Sequence, residues 1–596
     1  MFTEWLQDDR LEHLSFTDAL SPKAADRAFW GSDPQWIAAA EEYVNYEWPC
    51  IKAVDWLAFR ETGDRLAQET PHFARRRALG ALLLGELAEY RGRFLPDITN
   101  GLLTICEETA WSVSAHVPEP HFPSVGCQYI DLFSAETGAL LSTVRTVLHE
   151  ELQAFCPEIL DRVDDELNRR IVGSYLEHTD YWWMGYDGGK VNNWNPWILS
   201  NILTVFLQQV RDRMVFYTGL RKMFTEIERY YVGMPEDGGC DEGCMYWTRA
   251  GGSLFRFCDT LYRATDGKLD LFTDAKLREI LLYETRVYIG NGWFANFADG
   301  PARSRGLHDS AWLLCAVGER LDDDTARELG GELFRLCGHE ATDKRLNNYP
   351  TALDSRRYET VLCKNATYHA PQTAVLPCLQ NAFVRGDGWY YALKGGNNEE
   401  SHNHNDVGNL IVFYDNCPVL IDPGCGVYTR ATFNGEERYT IWTMRSLWHT
   451  LPCINGAEQP HGEEFAADAF TVEDGVGTVS FACAYPETAG IAKLERRVAI
   501  DDGVIWEDSF AFVNAENTVT EYMQTVLPVR IDGERAVLGE EFEITANVLC
   551  TITTETQTFG GDAHLNACWG QDELYRIGFH FTAGETAAIK LRVRRL

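Results

Sequence analysis

From the N-terminus to about residue 340, apolar residues recur at helical spacing, in blocks separated by short Gly, Pro and Asp punctuation. In Arg75 to Tyr90, for example, Leu79, Leu82, Leu83 and Leu87 fall on one side. The same style predicts helices over Ala135 to Phe155, Pro196 to Tyr217 and Asp274 to Tyr288. Helices joined by short connections form antiparallel hairpins, and hairpins in series curl into a solenoid or close into a toroid; the pattern leaves both open. Between Arg345 and Ala370 the helical period fades, and period-2 alternation takes over. Strands are predicted at Trp389 to Leu393, Leu410 to Tyr414, Gly477 to Phe481 and Ala587 to Leu591. The turn dipeptides Asp387-Gly388, Asp502-Gly503 and Asp532-Gly533 punctuate this region as they would an antiparallel sandwich. Helices first and strands second give an α+β chain of two modules, 1–361 and 362–596, and not an alternating winding.

Composition narrows the function classes. With 45% hydrophobic and 24% charged residues the 596-residue chain reads as globular. A net charge of -36 argues against a nucleic-acid surface, which needs a basic stripe to displace counterions. It also means that a site for an anionic ligand needs local Arg, Lys, Asn and His to outweigh the overall field. The opening Met1-Phe2-Thr3-Glu4-Trp5 lacks a basic segment followed by an apolar core, which predicts a cytoplasmic protein, or a periplasmic or secreted one in a form whose leader has been removed. No run of about 18 apolar residues suggests a membrane span. The 17 cysteines lack a small-domain framework and read as reduced thiols. Cys240 and Cys244 form a lone C-x3-C, which fits buried thiols better than zinc.

Three polar clusters could carry chemistry. The densest is Ser401-His402-Asn403-His404-Asn405-Asp406, ahead of the Leu410 strand and Leu420-Ile421-Asp422-Pro423-Gly424. On an extended segment His402 and His404 would point the same way. Asp422, eighteen positions after His404, suits the neighbouring strand of a hairpin, and His449 offers a third ligand. Two imidazoles and one carboxylate suit Zn²⁺, although Mn²⁺ accepts similar donors; the plain alternative is a set of hydrogen-bonding histidines. The second cluster is Asn192-Asn193-Trp194-Asn195-Pro196, in which Asn195 is expected to cap the following helix and Pro196 to open it. Asn192 and Asn193 are left to hold a carboxylate, or to cap. The third runs from Glu236-Asp237-Gly238-Gly239 through Asp241-Glu242-Gly243 to Tyr246 and Arg249. A helix starting near Glu242 would set Tyr246 and Arg249 on one face, where the guanidinium would favour phenolate; core packing of Tyr246 and Trp247 is the alternative. Trp182, Trp183, Trp194 and Trp293 are candidate sugar platforms, and Arg249, Arg303, Arg305 and Arg430 candidate anion partners.

Taken in order, the Asn-Asn-Trp segment, the Asp-Gly-Gly and Glu-Gly-x-x-Tyr segment, and the His-Asn-His-Asn-Asp block with Asp422-Pro423-Gly424, Tyr428 and His449 resemble the heparinase II/III-type polysaccharide lyases, a group that includes alginate oligosaccharide lyases. The resemblance covers most of the chain. It implies an N-terminal incomplete (α/α) toroid followed by a C-terminal antiparallel β-sandwich, and β-elimination on a glycan containing uronic acid. By the same resemblance Asn193 neutralises the uronate carboxylate, Tyr246 is the acid/base and His402 the second proton-transfer group. Asn192, Trp194, Arg249 and Tyr428 would contact substrate. His404, Asp422 and His449 would hold one structural divalent metal, Zn²⁺ before Mn²⁺, with no organic cofactor. Some relatives have histidine at the position of Trp194. The implied partner is an acidic oligo- or polysaccharide, with neither nucleic acid nor membrane. The competing readings are a glycoside hydrolase using Asp237, Asp241 or Glu242, and a non-catalytic glycan-binding protein.

Overall fold

The computed structural model describes residues 1–18, 20–126, 128–303, 307–337, 353, 356–358 and 367–596. The chain forms two compact units: Met1–Met234 with Thr248–Leu281 and Leu307–Tyr368, and Pro235–Trp247 with Leu282–Gly306 and His369–Leu596. The expected boundary between 361 and 362 lies outside the described residues, as does Arg305.

The first unit is helical. Its longest helix, Leu66–Glu89, buries the predicted stripe completely: Leu79, Leu82, Leu83 and Leu87 are all 0% exposed. Tyr90 then turns left-handed at φ 53° and ends it. Three predicted helices are each divided in two. Ala135 to Phe155 becomes Leu132–Val147 and His149–Phe155, with Leu148 leaving helical geometry between them. Leu148 and Leu152 stay fully buried, so the apolar period runs through the break. Pro196 to Tyr217 becomes Trp194–Gln209 and Arg213–Gly233, because the Asp212 carboxylate accepts from Val215 N at 3.0 Å and starts a new helix. Asp274 to Tyr288 becomes Ala275–Leu281 and Tyr283–Val287, followed by a strand at Tyr288–Gly290. Trp194–Gln209 packs against Leu132–Val147, Arg213–Gly233 and Gly251–Ala264. The approach is close at Gly219, where a Cβ would fall 2.1 Å from the Phe206 ring.

The second unit is built from antiparallel sheets. Five strands, Thr373–Leu376, Asn381–Gly386, Trp389–Lys394, Leu410–Tyr414 and Cys417–Leu420, pair in sequence order. Asp387 and Gly388, at φ 50° and 80°, make the two-residue hairpin between the second and third of these, the turn that right-twisted strands favour. An eight-stranded sheet includes Val476–Ser480, Ile491–Ile500, Val504–Phe512 and Thr586–Arg595. A four-stranded one joins Thr551–Thr558, Glu573–Ala583, Asn517–Thr525 and Pro452–Ile454. All four predicted strands are present. Residues of all three sheets, including Tyr391, Val412, Trp506, Met523 and Phe579, share one buried apolar cluster. Val504–Phe512 alternates buried and half-buried positions, as a strand covered on one face should, whereas Trp389–Lys394 is buried throughout. Among the described residues no helix is long and apolar enough to cross a membrane.

Candidate active site

In the strand unit, the polar run predicted to carry chemistry forms the connection between Trp389–Lys394 and Leu410–Tyr414. Buried side chains pin this loop. The Lys394 ammonium bonds Asp406 and lies 3.2 Å from Glu400, Asn398 accepts from Asp406 N at 3.2 Å, and Gln459 donates to Val407 O at 2.7 Å. The segment is a turn and not an extended strand, and His402 is left-handed at φ 56°. The expectation that His402 and His404 alternate on an extended strand is therefore corrected: the segment is a turn, and the two rings instead reach one carboxylate, that of Asp299, through its two different oxygens.

His402 stacks on Tyr246, ring centroids 4.3 Å apart. Tyr246 ends a short 3-10 turn, Cys244–Tyr246, which follows Gly243 at φ 91°. A Cβ on Gly243 would fall 2.6 Å from the Phe297 carbonyl oxygen, so glycine is required where this turn approaches the segment bearing Asp299. The Tyr246 hydroxyl lies 2.7 Å from that of Tyr428, which donates to Asp299 Oδ2 at 3.2 Å. His402 Nδ1 is 2.7 Å from the same oxygen, and its Nε2 is 3.6 Å from the buried Glu242 carboxylate. Asp299 Oδ1 accepts from Arg438 Nη2 at 2.7 Å and lies 3.1 Å from His404 Nε2. Burial alone would raise the Asp299 carboxyl; hydrogen bonds from His402 and His404 and the Arg438 charge outweigh it and hold it well below the usual carboxylate range. Burial, reinforced by the Asp299 and Glu242 charges, pushes the Tyr246 phenol well above its ordinary value despite the Tyr428 hydrogen bond.

This corrects the expectation of an Arg249-assisted phenolate. The helix expected near Glu242 begins at Gly251, and the Arg249 guanidinium sits over the Trp197 ring at 4.6 Å, 3.9 Å from Glu136. Asp299 and Arg438 were not singled out in the sequence, because Asp299-Gly300-Pro301 reads only as a turn and Arg438 as one of many arginines.

His404, Asp422 and His449 come together, each 0% exposed, with one ligand atom apiece all within 4.8 Å of one another. Asp422 follows the hairpin as its spacing suggested. His404 Nδ1 and His449 Nε2 are buried without a hydrogen-bond partner. Asp422 is held by Asn409 Nδ2 and Gly424 N, both at 2.8 Å, and lies 3.0 Å from His449 Nδ1. Two buried imidazoles and one carboxylate brought within 4.8 Å, with a ring nitrogen of each imidazole left unpartnered, fit a small divalent cation with nitrogen and oxygen donors. Among the described residues this is the one group of three or more such side chains able to hold a metal. Cys240 and Cys244 are simply buried.

Asn192, Asn193, Trp194 and Arg249 belong to the helical unit. Asn193, and not Asn195, is the N-cap of Trp194–Gln209; it is 3% exposed and makes no side-chain capping bond. Asn195 lies inside the first turn, its amide donating to Trp183 O and Glu226 O at 3.0 and 3.2 Å. Asn192 accepts from Trp194 N at 3.1 Å. Trp182 is exposed, its ring 5.0 Å from that of Trp194, and His116 stands 4.6 Å from Trp194 on the same unit. Trp183 is core, and Trp293 is buried against Trp569 with Arg303 over its ring. Arg430 is exposed. Of the hydrolase candidates, Asp237 spends its oxygens on Gly239 N at 3.0 Å and Cys378 N at 2.7 Å, and Asp241 accepts from Ser401 N at 3.4 Å.

No family model matches the chain, and no curated protein matches it in sequence. Solved structures do. Heparinase III superposes with a TM-score of 0.66 at 13% identity, covering 100% of this chain and 91% of that one. A heparan sulfate lyase mutant from Pedobacter heparinus gives 0.61 at 11% identity, covering 100% and 87%. The Streptomyces coelicolor chondroitin AC lyase in complex with chondroitin sulphate gives 0.54 at 13% identity, covering 97% and 82%. With helices in one unit, antiparallel sheets in the other and near-complete coverage of both, the chain has the fold of the heparinase III-type polysaccharide lyases.

Proposed function

We propose that the chain is a polysaccharide lyase cleaving uronic-acid-containing glycans by β-elimination, with glycosaminoglycans such as heparan sulfate, chondroitin sulfate and hyaluronan as the substrate class. The observation that carries this reading is the stacked Tyr246 and His402 pair, backed by Asp299, in a chain of this fold. On this reading the helical unit is an incomplete (α/α) toroid and the strand unit a β-sandwich.

The C5 hydrogen of a uronate is weakly acidic because the adjacent carboxylate already carries charge. A donor that binds the enolate-like state more strongly than the ground state lowers the barrier, typically by roughly 3 kcal/mol. The family resemblance gives that task to Asn193, with Asn192, Trp194, Arg249 and Tyr428 as further sugar contacts. Where some relatives have histidine in place of Trp194, His116 offers an imidazole beside that ring, its Nδ1 2.8 Å from Asp131.

With Nδ1–H donated to Asp299, His402 keeps Nε2 for the C5 proton, while the protonated Tyr246 gives its proton to O4 as the C4–O4 bond breaks and C4=C5 forms. Return of the proton from the imidazolium to the phenolate restores both groups. Anti elimination on iduronate uses the two residues in this way; on glucuronate, where proton and leaving group share a side, Tyr246 would make both transfers only after first passing its own proton to the His402 imidazole. His404, Asp422 and His449 would hold Zn²⁺, or Mn²⁺, which when bound braces the loop carrying His402.

The test is incubation with heparan sulfate, chondroitin sulfate, hyaluronan and alginate while following the near-ultraviolet absorbance of unsaturated uronate. We expect turnover on at least one, and its loss in Tyr246→Phe with binding retained. Cleavage without new absorbance would establish a hydrolase, and binding without cleavage of any of the four a glycan-binding protein. Product from alginate alone would move the substrate class to alginate oligosaccharides.

A further inference from the structure

The geometry points to Asp299 as a positioning residue that couples the metal cluster to His402. The inference rests on the lyase reading for its catalytic half only. Asp299 is fully buried in side chain and divides its two oxygens: Oδ2 takes His402 Nδ1 at 2.7 Å and Tyr428 at 3.2 Å, whereas Oδ1 takes Arg438 at 2.7 Å and faces His404 Nε2 at 3.1 Å.

On the His402 side, a carboxylate accepts and does not donate. It accepts from His402 Nδ1–H and so fixes the ring with Nε2 on the far side, facing Glu242 at 3.6 Å. On the His404 side, the same logic places the proton on Nε2 and leaves Nδ1, the orphaned nitrogen, as the ligand atom. One carboxylate thus sets the tautomer of both imidazoles. His402 adopts a left-handed backbone, so its ring orientation depends on such tertiary contacts more than on local preference. Arg438 locks the arrangement: besides Asp299 it donates to Asn403 O and Thr432 O, both at 3.0 Å, tying the chain between the two histidines to the segment that follows Tyr428. Removing the charge on Asp299 therefore disturbs two sites that the sequence keeps more than a hundred residues away from it.

The experiment uses the full chain loaded with Zn²⁺ and compares wild type, Asp299→Asn, Asp299→Glu and His402→Gln. Three quantities are read: kcat and KM on whichever glycan the wild type cleaves, the Zn²⁺ dissociation constant by chelator competition, and imidazole tautomers by ¹⁵N–¹H correlation spectra, with His402 assigned by His402→Gln. We expect Asp299→Asn to lower kcat by on the order of 10³-fold with KM little changed, as an amide does behind a catalytic histidine. It should weaken Zn²⁺ by about 10–100-fold. His402→Gln should lose kcat and keep Zn²⁺ affinity. Asp299→Glu should keep the wild-type tautomers with a smaller loss in kcat. Unchanged Zn²⁺ affinity in Asp299→Asn, or unchanged kcat, overturns the coupling. Should that variant not fold, the wild-type spectrum decides: His402 protonated on Nε2 alone overturns the proposal. A wild type inactive on every glycan defeats the lyase reading, while the spectra and Zn²⁺ affinity still judge Asp299.

Discussion

The strand unit contains two buried polar clusters that differ in one respect. Around Arg496, 0% exposed, the protein uses every nitrogen: Nε and Nη2 grip Asp508 at 2.8 and 2.5 Å, Nη1 donates to Gly408 O and Thr450 O at 2.8 and 2.5 Å, and Glu521 stands 3.3 Å away. Around His404, Asp422 and His449, equally buried, two ring nitrogens have no partner at all. A buried donor or acceptor without a partner costs roughly 1–3 kcal/mol, so a cation bound at the second cluster would recover free energy that the first has largely recovered within the protein. The first cluster leaves no arginine nitrogen unused, although Glu521 Oε1 has no partner; the second leaves two ring nitrogens, and we propose that a divalent cation binds there.

Three experiments break or sharpen that contrast. The largest effect is expected from Arg496→Met, which strands the Asp508 charge in the core: about 3–5 kcal/mol of stability should be lost in chemical denaturation. The double variant Arg496→Met/Asp508→Leu should recover most of it, and Zn²⁺ affinity should be unaffected in any variant that folds. A small loss in the single variant would mean that the arginine cluster is not closed. Next, His449→Ala should abolish tight Zn²⁺ binding. With free Zn²⁺ at about a thousand times the dissociation constant the wild type gains about 4 kcal/mol over its metal-free form. Chelation should therefore lower the melting temperature of the wild type and leave that of His449→Ala unmoved; equal responses would refute the comparison. The smallest effect is at Glu521. Burial, with the Asp508 charge beside it, raises its carboxyl well above the usual range although Arg496 opposes this. The folded state therefore holds a proton that the unfolded state releases at about pH 4.3, and stability falls as pH rises from there towards the folded value. Glu521→Gln should remove that slope and raise stability at neutral pH. An identical pH profile in the two proteins would mean that Glu521 is charged when folded.

The same contrast explains what could be read from the chain. The meeting of His404 and Asp422 was legible because they flank one hairpin, Leu410–Tyr414 with Cys417–Leu420, so spacing constrains them. The strands at Trp389 and Leu410 were legible because each is a run of apolar and aromatic residues bounded by turn residues. Helix existence was legible and helix breaks were not: at Leu148 the buried stripe continues across the kink, and at Asp212 the capping carboxylate sits within an unbroken apolar period. Asp299 was invisible because its partners, His402, His404, Tyr428 and Arg438, come from other stretches of the second unit and leave no local spacing to detect.

What the sequence determined by itself is the division into helical and strand-forming halves, the tight turns and the identity of the chemical groups, since these follow from periodicity, backbone preference and side-chain type. What only the tertiary structure decided is which groups share a carboxylate, which face a partner and which are left without one. Tyr246 illustrates the difference. Its neighbour Arg249 in sequence suggested a phenolate, and the burial and carboxylates that surround it in space keep it a phenol. Proton affinity depends on what lies within a few ångströms, and chain order does not report that distance.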